Sequence, residues 1–342
     1  MIKQKTLIII LNWNGSHDTI ECCKSLNLSI GLLKNKADIF VLDNNSNYKD
    51  YVNLEDSFAD IYGDCESLNC NDDFFKNFSL TSLKTYRGQV VRLLRSSVNH
   101  GFARGCNIGA MFAKKMGYEN ILFLNNDTIV QNDFLEPLLD SLANHDAVIP
   151  QIRYDYDRNI IWNCGGVLNK FGKRKYFFAK KDVNHVSFPA ESFEISFATG
   201  CCILFRTSFF SEIGCFSEKF FFGEEDIELS LRLLKLKARM ICNTKSIIFH
   251  KVGSSITGSP ERLLRKAYIH YLNRLVNMKD HLGLIWYIWL LPSLSKIVIN
   301  LILINKIGIY KSLSVAFKLF KDAIRLNSVD KFEFERILNE GF

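Results

Sequence analysis

The sequence predicts an α/β protein with a mostly parallel sheet flanked by helices, and two observations carry this prediction. Short apolar runs rich in β-branched residues alternate with stretches of helical periodicity, which is typical of strands buried on both faces of a sheet. Three such runs, 6–11, 38–42 and 121–124, each end in a cluster of Asp and Asn residues. Because ligands of open α/β sheets bind beyond the carboxyl ends of the strands, we expect a ligand site there. Any single cluster is equally consistent with a turn or a helix cap.

The composition excludes several classes of protein. The chain has 342 residues, of which 48% are hydrophobic and 23% charged, enough for a large core. Its net charge of +7 is too small to indicate nucleic-acid binding, so no nucleic-acid partner is expected. The ten cysteines include no two facing CxxC pairs, which argues against structural zinc. The first residues lack a signal-peptide core, so we expect a cytosolic protein with free thiols.

The first half of the chain alternates strands with helices. A helix is predicted over 18–33, between the first two strands, and another over 107–116, before the third strand. Between residues 50 and 73 there are eight acidic residues and no Lys or Arg, so we interpret 48–95 as a solvated acidic insertion. Beyond the third strand, helices are predicted over 133–144 and 224–236, separated by the short strands and loops of 162–197.

The C-terminal region, 276–342, has a different character from residues 1–275. The segment 282–304 carries Lys296 as its only charge and would just cross a membrane if helical, but Pro292 interrupts it. The following segment, 309–326, has the pattern of a basic amphipathic helix at an anionic membrane surface, and packing on the domain is the alternative. We therefore expect a helical, membrane-interfacial region. The basic side of the pattern has Lys311, Lys318, Lys321 and Arg325, and the apolar side has Leu313, Phe317, Phe320 and Ile324.

Seven motifs occur in a characteristic order. They are ILNWNG at 10–15, VLDNNS at 41–46, NHGFARGCNIG at 99–109, LNND at 124–127, TGCC at 199–202, FFFGEEDIEL at 220–229 and HKVGSS at 250–255. The ordered set resembles the family 2 glycosyltransferases, in their rhamnosyltransferase-like branch. The resemblance covers about residues 5–275 and implies a GT-A fold, with a Rossmann-like sheet that binds a nucleotide-sugar donor.

The resemblance also implies which residues bind the donor. Asp43 is similar to the family's aspartate that accepts a hydrogen bond from the pyrimidine ring, although turn capping is its alternative role. The glycine-containing loop 99–109 lets the backbone approach the nucleotide closely. The implied donor-binding residues are Asn12, Asn14, Asp43, Asn99, Gly101, Asn107, Asn125 and Asn126.

A divalent cation, Mg²⁺ or Mn²⁺, is implied as the cofactor, because the donor diphosphate needs charge neutralisation before it can leave. Asp127 is the implied metal ligand. The family pattern is Asp-x-Asp, and Asn125 stands at its first position without contributing charge. His250 is the implied second ligand, and Gly253 follows it in register with a His-x-x-Gly-x-Ser motif. An imidazole beside a carboxylate suits Mn²⁺ somewhat better than Mg²⁺.

By the same resemblance, Asp226 is the general base that removes the proton of the acceptor hydroxyl, and Glu225 supports it. The aromatic run 220–222 could shield this cluster from water and raise a carboxylate pKa. The alternative is that acidic residues only complement the dipole in the first turn of a helix. Gly200 should border the acceptor pocket, and Trp162 could stack on a sugar ring, although a core position is the commoner one for tryptophan.

The resemblance implies an inverting, metal-dependent hexosyltransferase of bacterial surface polysaccharide synthesis. It would move a sugar, rhamnose first and galactofuranose or another hexose second, from a UDP- or dTDP-sugar to a lipid-linked glycan. We expect it to be peripheral on the cytoplasmic face of the inner membrane. A nucleotidyltransferase is one alternative, but the motif at 12–15 lacks a basic phosphate loop. A catalytically silent membrane scaffold is another, which Asn125 favours and which Asp127 and Asp226 oppose.

Overall fold

The computed structural model describes residues 5–30, 37–62, 65–67, 78–84, 90–252 and 259–342. The strands are β1 (Thr6–Asn12), β2 (Ala37–Asp43), β3 (Cys65–Ser67), β4 (Phe78–Lys84), β5 (Val90–Ser96), β6 (Asn120–Leu124), β7 (Thr128–Val130), β8 (Ala147–Tyr154), β9 (Ile161–Asn163), β10 (Gly166–Leu168), β11 (Arg174–Tyr176), β12 (Ser192–Ile195), β13 (Cys202–Arg206) and β14 (Met240–His250). The helices are α1 (Ser16–Ile30), α2 (Tyr48–Tyr62), α3 (Gly101–Lys115), α4 (Leu135–Leu142), α5 (Thr207–Glu212), α6 (Glu225–Lys235), α7 (Pro260–Leu282), α8 (Ile285–Leu303), α9 (Ile309–Arg325) and α10 (Lys331–Glu340).

A twelve-stranded sheet forms the centre of the described part of the chain. Its order is β12-β14-β8-β13-β6-β1-β2-β5-β4-β3, with β7 paired to β14 and β9 paired to β8. The strands β6, β1, β2 and β5 are parallel, whereas β13 is antiparallel to both β6 and β8. The predicted α/β class is confirmed, and the sheet is mixed. Strands β2 and β6 are buried along their whole length, which explains their continuous apolar sequences.

The carboxyl ends of β1, β2 and β6 meet at one edge of the sheet. Asn12 pairs with Asp43 across β1 and β2, while Ile9 pairs with Phe123 across β1 and β6. Helix α3 packs tightly over β1 because Gly109 has no side chain. A Cβ at that position would lie 2.6 Å from Cγ2 of Ile9. The polar clusters predicted from the sequence therefore share one edge.

The acidic stretch contributes two elements to the core. Helix α2 buries Tyr51, Leu54 and Phe58, and β5 pairs in parallel with β2 inside the main sheet. These parts of 48–95 are therefore integral to the domain and are not a solvated insertion. In α2 the buried apolar residues are interspersed with acidic ones, which made the helix look solvated in the sequence. Residues 63–64, 68–77 and 85–89 of the stretch lie outside the described residues.

The C-terminal helices share one apolar core with α6. Trp286 of α8 is fully buried and donates its indole N–H to the Leu275 carbonyl at 2.9 Å. The backbone N–H of Val329 donates to Lys219, and that of Phe221 donates to Val329, which joins the C-terminal segment to the domain. The expected boundary between residues 275 and 276 lies inside α7, which continues without a break to Leu282. Helices α7 to α10 therefore pack on the domain as part of one body.

Helix α8, Ile285–Leu303, is the one helix among the described residues that is long and apolar enough to cross a membrane. The most apolar 18 residues of α8 have a mean hydropathy of 1.6, and 22% of them are buried within the protein. The predicted apolar run from residue 282 is divided at Gly283, where φ is +55°, so α8 begins later than expected. Pro292 lies within α8 without ending it. Ile288 and Leu291 are among its exposed side chains.

Candidate active site

The carboxyl end of β1 is fixed by Asn12, which is fully buried. Its amide nitrogen donates to Asp43 Oδ1 at 2.9 Å and lies 3.1 Å from both Ser46 Oγ and Asp50 Oδ2. Its amide oxygen accepts the hydroxyl hydrogen of Thr19 at 2.9 Å. Both ends of the Asn12 side chain are therefore used within the protein. Asp43 is equally buried, so these two predicted donor residues form the floor of the strand edge.

Asn14 lies at the open side of this edge. It is exposed, with φ at +52°, a left-handed conformation that asparagine tolerates better than most residues. Its side-chain oxygen accepts hydrogen bonds from the backbone and the side chain of Asn47, at 2.9 and 2.7 Å. The neighbouring Trp13 is 60% exposed. The two exposed side chains face a region that a ligand could reach without moving the core.

The loop before α3 is held by Asn44, which follows β2. Asn44 accepts the backbone N–H of His100 at 2.8 Å and donates to the Gly101 carbonyl at 3.0 Å. Asn99 accepts the backbone N–H of Gly101 at 2.9 Å. Gly101 has φ at +76°, and a Cβ there would lie 2.1 Å from the Phe221 carbonyl oxygen, so only glycine fits. Asn99 and Gly101 thus shape the loop through its backbone.

Asn107, another predicted donor residue, has its side chain engaged elsewhere. It donates to the Phe216 carbonyl at 2.9 Å and to Glu218 at 3.0 Å, and it accepts the backbone N–H of Phe216 at 3.0 Å. The side chain of Asn107 therefore holds the loop before α6.

Strand pairing brings Asp127 and His250 together. Strand β7 follows Asp127 directly and pairs antiparallel with β14, so that Thr128 lies opposite His250. Nε2 of His250 is 3.1 Å from Oδ1 of Asp127, and the Asp127 carbonyl accepts the backbone N–H of Lys251 at 2.9 Å. The remaining predicted motif residues, Gly253 and Ser254, lie outside the described residues.

The two predicted amides beside Asp127 differ in their contacts. Asn126 donates to Thr19 Oγ1 at 3.0 Å, which ties the end of β6 to α1. Asn125 is partly exposed, and its backbone N–H donates to the Cys201 carbonyl at 2.8 Å. Asn125 therefore remains at the edge of the sheet with its side chain at the surface of the site.

The donor set of Asp127 and His250 fits a divalent cation. Within the described part of the chain, Oδ1 of Asp127 and Nδ1 of His250 are buried without a hydrogen bond. The 3.1 Å separation of Asp127 Oδ1 and His250 Nε2 would let both atoms contact one ion. An oxygen and an imidazole nitrogen are suitable ligands for Mn²⁺ or Mg²⁺.

The surroundings of His250 are polar on one side and aromatic on the other. Burial lowers the pKa of His250, but the neighbouring Cys201 thiol and the Asp127 carboxylate outweigh burial and raise it to about 10. The ring of Trp162 lies 4.5 Å from the imidazole, edge to face. A bound cation would replace the proton that these neighbours favour.

The segment 199–202 connects this pair with the acidic cluster. Cys201 is close enough to His250 to affect its pKa, and the preceding Gly200 lies beside Asp226. A Cβ built on Gly200 would be 3.9 Å from the Asp226 Cβ and 3.6 Å from the Phe102 ring. Cys201 therefore lies beside His250, and the adjacent Gly200 lies beside Asp226.

Two carboxyls of the acidic cluster, Glu224 and Glu225, are buried at the start of α6, and Asp226 beside them is partly exposed. Burial raises the pKa of Asp226, while the Arg174 and Arg274 guanidinium groups oppose that rise. Burial, followed by the Asp226 charge, raises the pKa of Glu225 to about 8. The two guanidinium groups favour the ionised form of Asp226, which is the form that a general base requires.

Comparison with known proteins identifies the family. Residues 7–214, more than half of the chain, match the family model described as Glycosyl transferase family 2. The chain belongs to glycosyltransferase family 2. Residues 120–319 also match Glycosyl transferase family group 2. A relative, the O-antigen biosynthesis protein RfbC of Myxococcus xanthus, is 25% identical over 169 residues, which are 48% of this chain and 13% of that protein.

Solved structures share the fold of this family 2 glycosyltransferase. The mannosyltransferase PcManGT from Pyrobaculum calidifontis, in complex with GDP-Man and Mn²⁺, has a TM-score of 0.52, 12% identity and coverage of 96% of this chain and 77% of its own. S. aureus TarS 1-349 has a TM-score of 0.51 and 14% identity, with coverage of 94% of this chain and 80% of its own. GalNAc-T7 with UDP, GalNAc and Mn²⁺ has a TM-score of 0.50 and 14% identity, with coverage of 88% of this chain and 58% of its own. The expected GT-A fold is confirmed.

Sequence reasoning missed one buried ion pair of this family 2 glycosyltransferase. Glu224, at φ +82°, forms an ion pair with Arg274, whose Nε is 2.6 Å from Oε1, and it accepts a hydrogen bond from Asn277 Nδ2 at 2.9 Å. Arg274 also donates to the Gly172 carbonyl at 2.7 Å. Arg274 and Asn277 are three residues apart on α7, so they lie on one face of the helix. This spacing could have indicated in the sequence that both contact the same partner.

A second group of acidic and histidine side chains lies on the first turn of α1. His17, Asp18 and Glu21 are close enough together to hold an ion, and His17 is exposed. The Lys251 ammonium already contacts both carboxylates, at 2.8 Å from Asp18 Oδ1 and closer still to Glu21. Because the Lys251 ammonium already occupies the space between these two carboxylates, Asp127 and His250 form the better cation site.

Proposed function

We propose that this chain is an inverting glycosyltransferase that transfers a sugar from a nucleotide-sugar donor to an acceptor hydroxyl. The observation that carries the proposal is the convergence of two groups on the segment 199–202, where Cys201 is beside His250 and Gly200 is beside Asp226. Membership of family 2 supports a nucleotide-sugar donor, as do the UDP and GDP-Man complexes of the structural neighbours.

Donor binding is proposed at the shared edge of β1, β2 and β6. Asp127 and His250 would hold Mn²⁺ or Mg²⁺, which supplies positive charge to the departing diphosphate when bound. The loop residues Asn99 and Gly101 bring backbone close to this edge, while Asp43 forms its floor. Asn14 and Asn125, which are exposed or partly exposed, are the predicted residues best placed to contact the nucleotide directly.

Asp226 is proposed as the general base. Its carboxylate accepts the proton of the acceptor hydroxyl while that oxygen forms a bond to the anomeric carbon. The bond from the anomeric carbon to the diphosphate oxygen breaks at the same time, and its electron pair leaves with the nucleoside diphosphate. Attack opposite the leaving group inverts the anomeric configuration. Glu225, whose raised pKa keeps it protonated at neutral pH, would support Asp226 without competing for the proton.

The substrate class is proposed from the relatives and from the C-terminal helices. The relative RfbC is named for O-antigen biosynthesis, which supports a role in bacterial surface polysaccharide synthesis with a lipid-linked glycan as acceptor. We propose rhamnose as the sugar, from a dTDP or UDP donor, on the resemblance alone. The exposed apolar side chains of α8 and α9, Ile288 and Phe317 among them, support peripheral seating on the cytoplasmic face of the inner membrane.

A panel of nucleotide sugars tests the proposal. The purified chain is incubated with dTDP-rhamnose, UDP-galactofuranose and UDP- and GDP-hexoses, with Mn²⁺, with Mg²⁺ or with EDTA, and release of the nucleoside diphosphate is followed. We expect one donor to be hydrolysed faster than the others in the presence of metal, and the Asp127→Asn variant to lose that activity. A folded wild-type protein that neither binds nor hydrolyses any member of the panel would contradict the proposal.

A further inference from the structure

The hairpin formed by β10 and β11, together with the five residues that follow it, is rich in Lys and Arg. Residues 170–181 contain six Lys or Arg residues and no Asp or Glu. Strands β10 and β11 pair antiparallel, with Leu168 opposite Arg174 and Gly166 opposite Tyr176. The six cations are Lys170, Lys173, Arg174, Lys175, Lys180 and Lys181.

Arg174 lies on the inner face of this hairpin. Its cross-strand partner Leu168 is buried, and directly opposed residues share a face of a sheet. The Arg174 guanidinium carbon lies 5.3 Å from the ring centre of Tyr176 and 5.5 Å from that of Phe197. Among the described residues, no carboxylate lies within 4.0 Å of this guanidinium. A half-buried cation with only aromatic contacts is suited to receive an anion.

The tip of the hairpin is fixed against α7, next to the acidic cluster. A Cβ on Gly172 would lie 2.7 Å from Met278 Sδ, and the Gly172 carbonyl accepts Arg274 Nη1. Arg274 is neutralised by Glu224, so it is not available to a further anion. The charge of Arg174 reaches Asp226, whose pKa it lowers against the larger effect of burial. Arg174 is therefore a cation near the proposed base that forms no close ion pair with a carboxylate of the described residues.

We propose that the β10–β11 hairpin, through Arg174, binds a phosphate or diphosphate group of the acceptor. This inference rests on the proposed function, because it assigns the charge of the acceptor at the same site. A guanidinium binds phosphate oxygens in a planar, bidentate geometry. The exposed lysines, such as Lys170 and Lys173, continue the positive charge into solvent, where a long acceptor extends and a donor held by Asp127 does not.

Calorimetric binding of inorganic pyrophosphate and of farnesyl diphosphate tests the assignment. The titrations use the full chain in buffer with EDTA, so that no cation at Asp127 and His250 can recruit the probe. We expect both probes to bind, and Arg174→Gln to weaken each by about tenfold or more. Arg174→Lys should recover part of the loss, and Lys114→Gln, which removes an exposed cation from α3, should leave binding unchanged. If Arg174→Gln does not fold, the Lys170→Gln, Lys173→Gln double variant replaces it.

The outcomes separate the hairpin from the donor site. The inference would be overturned if Arg174→Gln, or the double lysine variant that replaces it, bound the probes as tightly as wild type. It would also be overturned if Asp127→Asn lost pyrophosphate binding. Competition between UDP and farnesyl diphosphate with Mn²⁺ present would assign Arg174 to the donor and also overturn it. Tighter binding of farnesyl diphosphate than of pyrophosphate indicates a lipid source for the phosphate, and equal binding a phosphate on the glycan. Neither probe is a donor, so failure of the nucleotide-sugar panel is a separate result.

Discussion

Nε2 of His250 lies 3.1 Å from Oδ1 of Asp127 because the pairing of β7 with β14 sets Thr128 opposite His250. A short strand of three residues thus unites two side chains from opposite halves of the chain. Asp127 Oδ1 and His250 Nδ1 are buried without a hydrogen bond, so this pair is suited to hold a cation. The neighbouring group of His17, Asp18 and Glu21 offers a control, because it has similar ligands but both of its carboxylates already contact Lys251.

The first prediction concerns these two groups. His250→Ala should raise the Mn²⁺ concentration for half-maximal donor hydrolysis by about tenfold or more, because it removes one of two protein ligands. His17→Ala should leave that concentration unchanged. Metal titrations of both variants, with nucleoside diphosphate release as the readout, check this. Full wild-type activity in EDTA, or equal effects of the two substitutions, would show that His250 does not bind a required metal.

The second prediction concerns the base. Asp226→Asn should lower the turnover number by about a hundredfold or more and change the affinity for UDP by less than about twofold, because only proton transfer is lost. Transfer is measured by acceptor product and UDP affinity by calorimetry. Asp140→Asn, an exposed carboxylate on α4, is the matched control and should retain full turnover. Turnover of the Asp226 variant above about a tenth of wild type is incompatible with the role.

The third prediction concerns stability and pH. Burial and the Asp226 charge raise the pKa of Glu225 from 4.5 to about 8. Between these two pH values the unfolded chain releases the Glu225 proton and the folded chain keeps it, so the free energy of unfolding falls as pH rises. Glu225→Gln removes this loss. The variant should gain stability over wild type between about pH 5 and pH 8, on the order of a few kcal/mol at most.

Urea unfolding of both proteins at pH 5, 7 and 9 measures the difference. We expect similar midpoints at pH 5, a higher midpoint for Glu225→Gln at pH 7, and no further divergence above about pH 8, where the folded protein also releases the proton. A constant difference between the two midpoints at all three pH values would show that Glu225 titrates normally in the folded chain.

The sequence predicted which edge of the sheet holds the site better than it predicted what each side chain there contacts. Apolar runs that end in Asp and Asn clusters were sufficient to locate this edge, because strands buried on both faces leave a clear pattern and their carboxyl ends meet there. The use of each amide depends on tertiary partners that no local pattern shows. Asn12 and Asn107 are both buried in hydrogen-bond networks, whereas Asn14 stays exposed. The packing of α2 was missed because its acidic residues concealed the buried face with Leu54.

This contrast gives the fourth prediction. Asn12→Ala should lower the free energy of unfolding by about 2–4 kcal/mol, since it removes two buried hydrogen bonds, from Asn12 to Asp43 Oδ1 and from Thr19 to Asn12. Asn14→Ala removes an exposed acceptor and strains the left-handed backbone at φ +52°, and it should cost about 1 kcal/mol. Chemical denaturation of both variants at one pH is the measurement. A larger loss for Asn14→Ala than for Asn12→Ala would contradict the assigned networks.

The last prediction concerns the exposed face of α9, where Leu313 and Phe317 are 52% and 58% exposed. Their neighbours Lys318 and Lys321 add positive charge, and Lys321 Nζ lies 4.5 Å from the centre of the Phe317 ring. Such a face binds an anionic lipid surface through apolar insertion and charge together. The Leu313→Ser, Phe317→Ser double variant should therefore lose most flotation with phosphatidylglycerol vesicles, while each Lys→Gln change should weaken it by roughly fivefold at low salt.

Point variants are required for this experiment because α7 to α10 share their core with α6, so that a truncated chain would expose Phe220 and Ile227. Leu28→Ser, which removes an exposed leucine from α1, is the matched control and should float like wild type. Binding that neither salt nor the α9 substitutions reduce would place the membrane contact elsewhere. The contact would then have to come from the apolar face of α8, and Ile288→Ser with Leu291→Ser would be the variant that loses flotation.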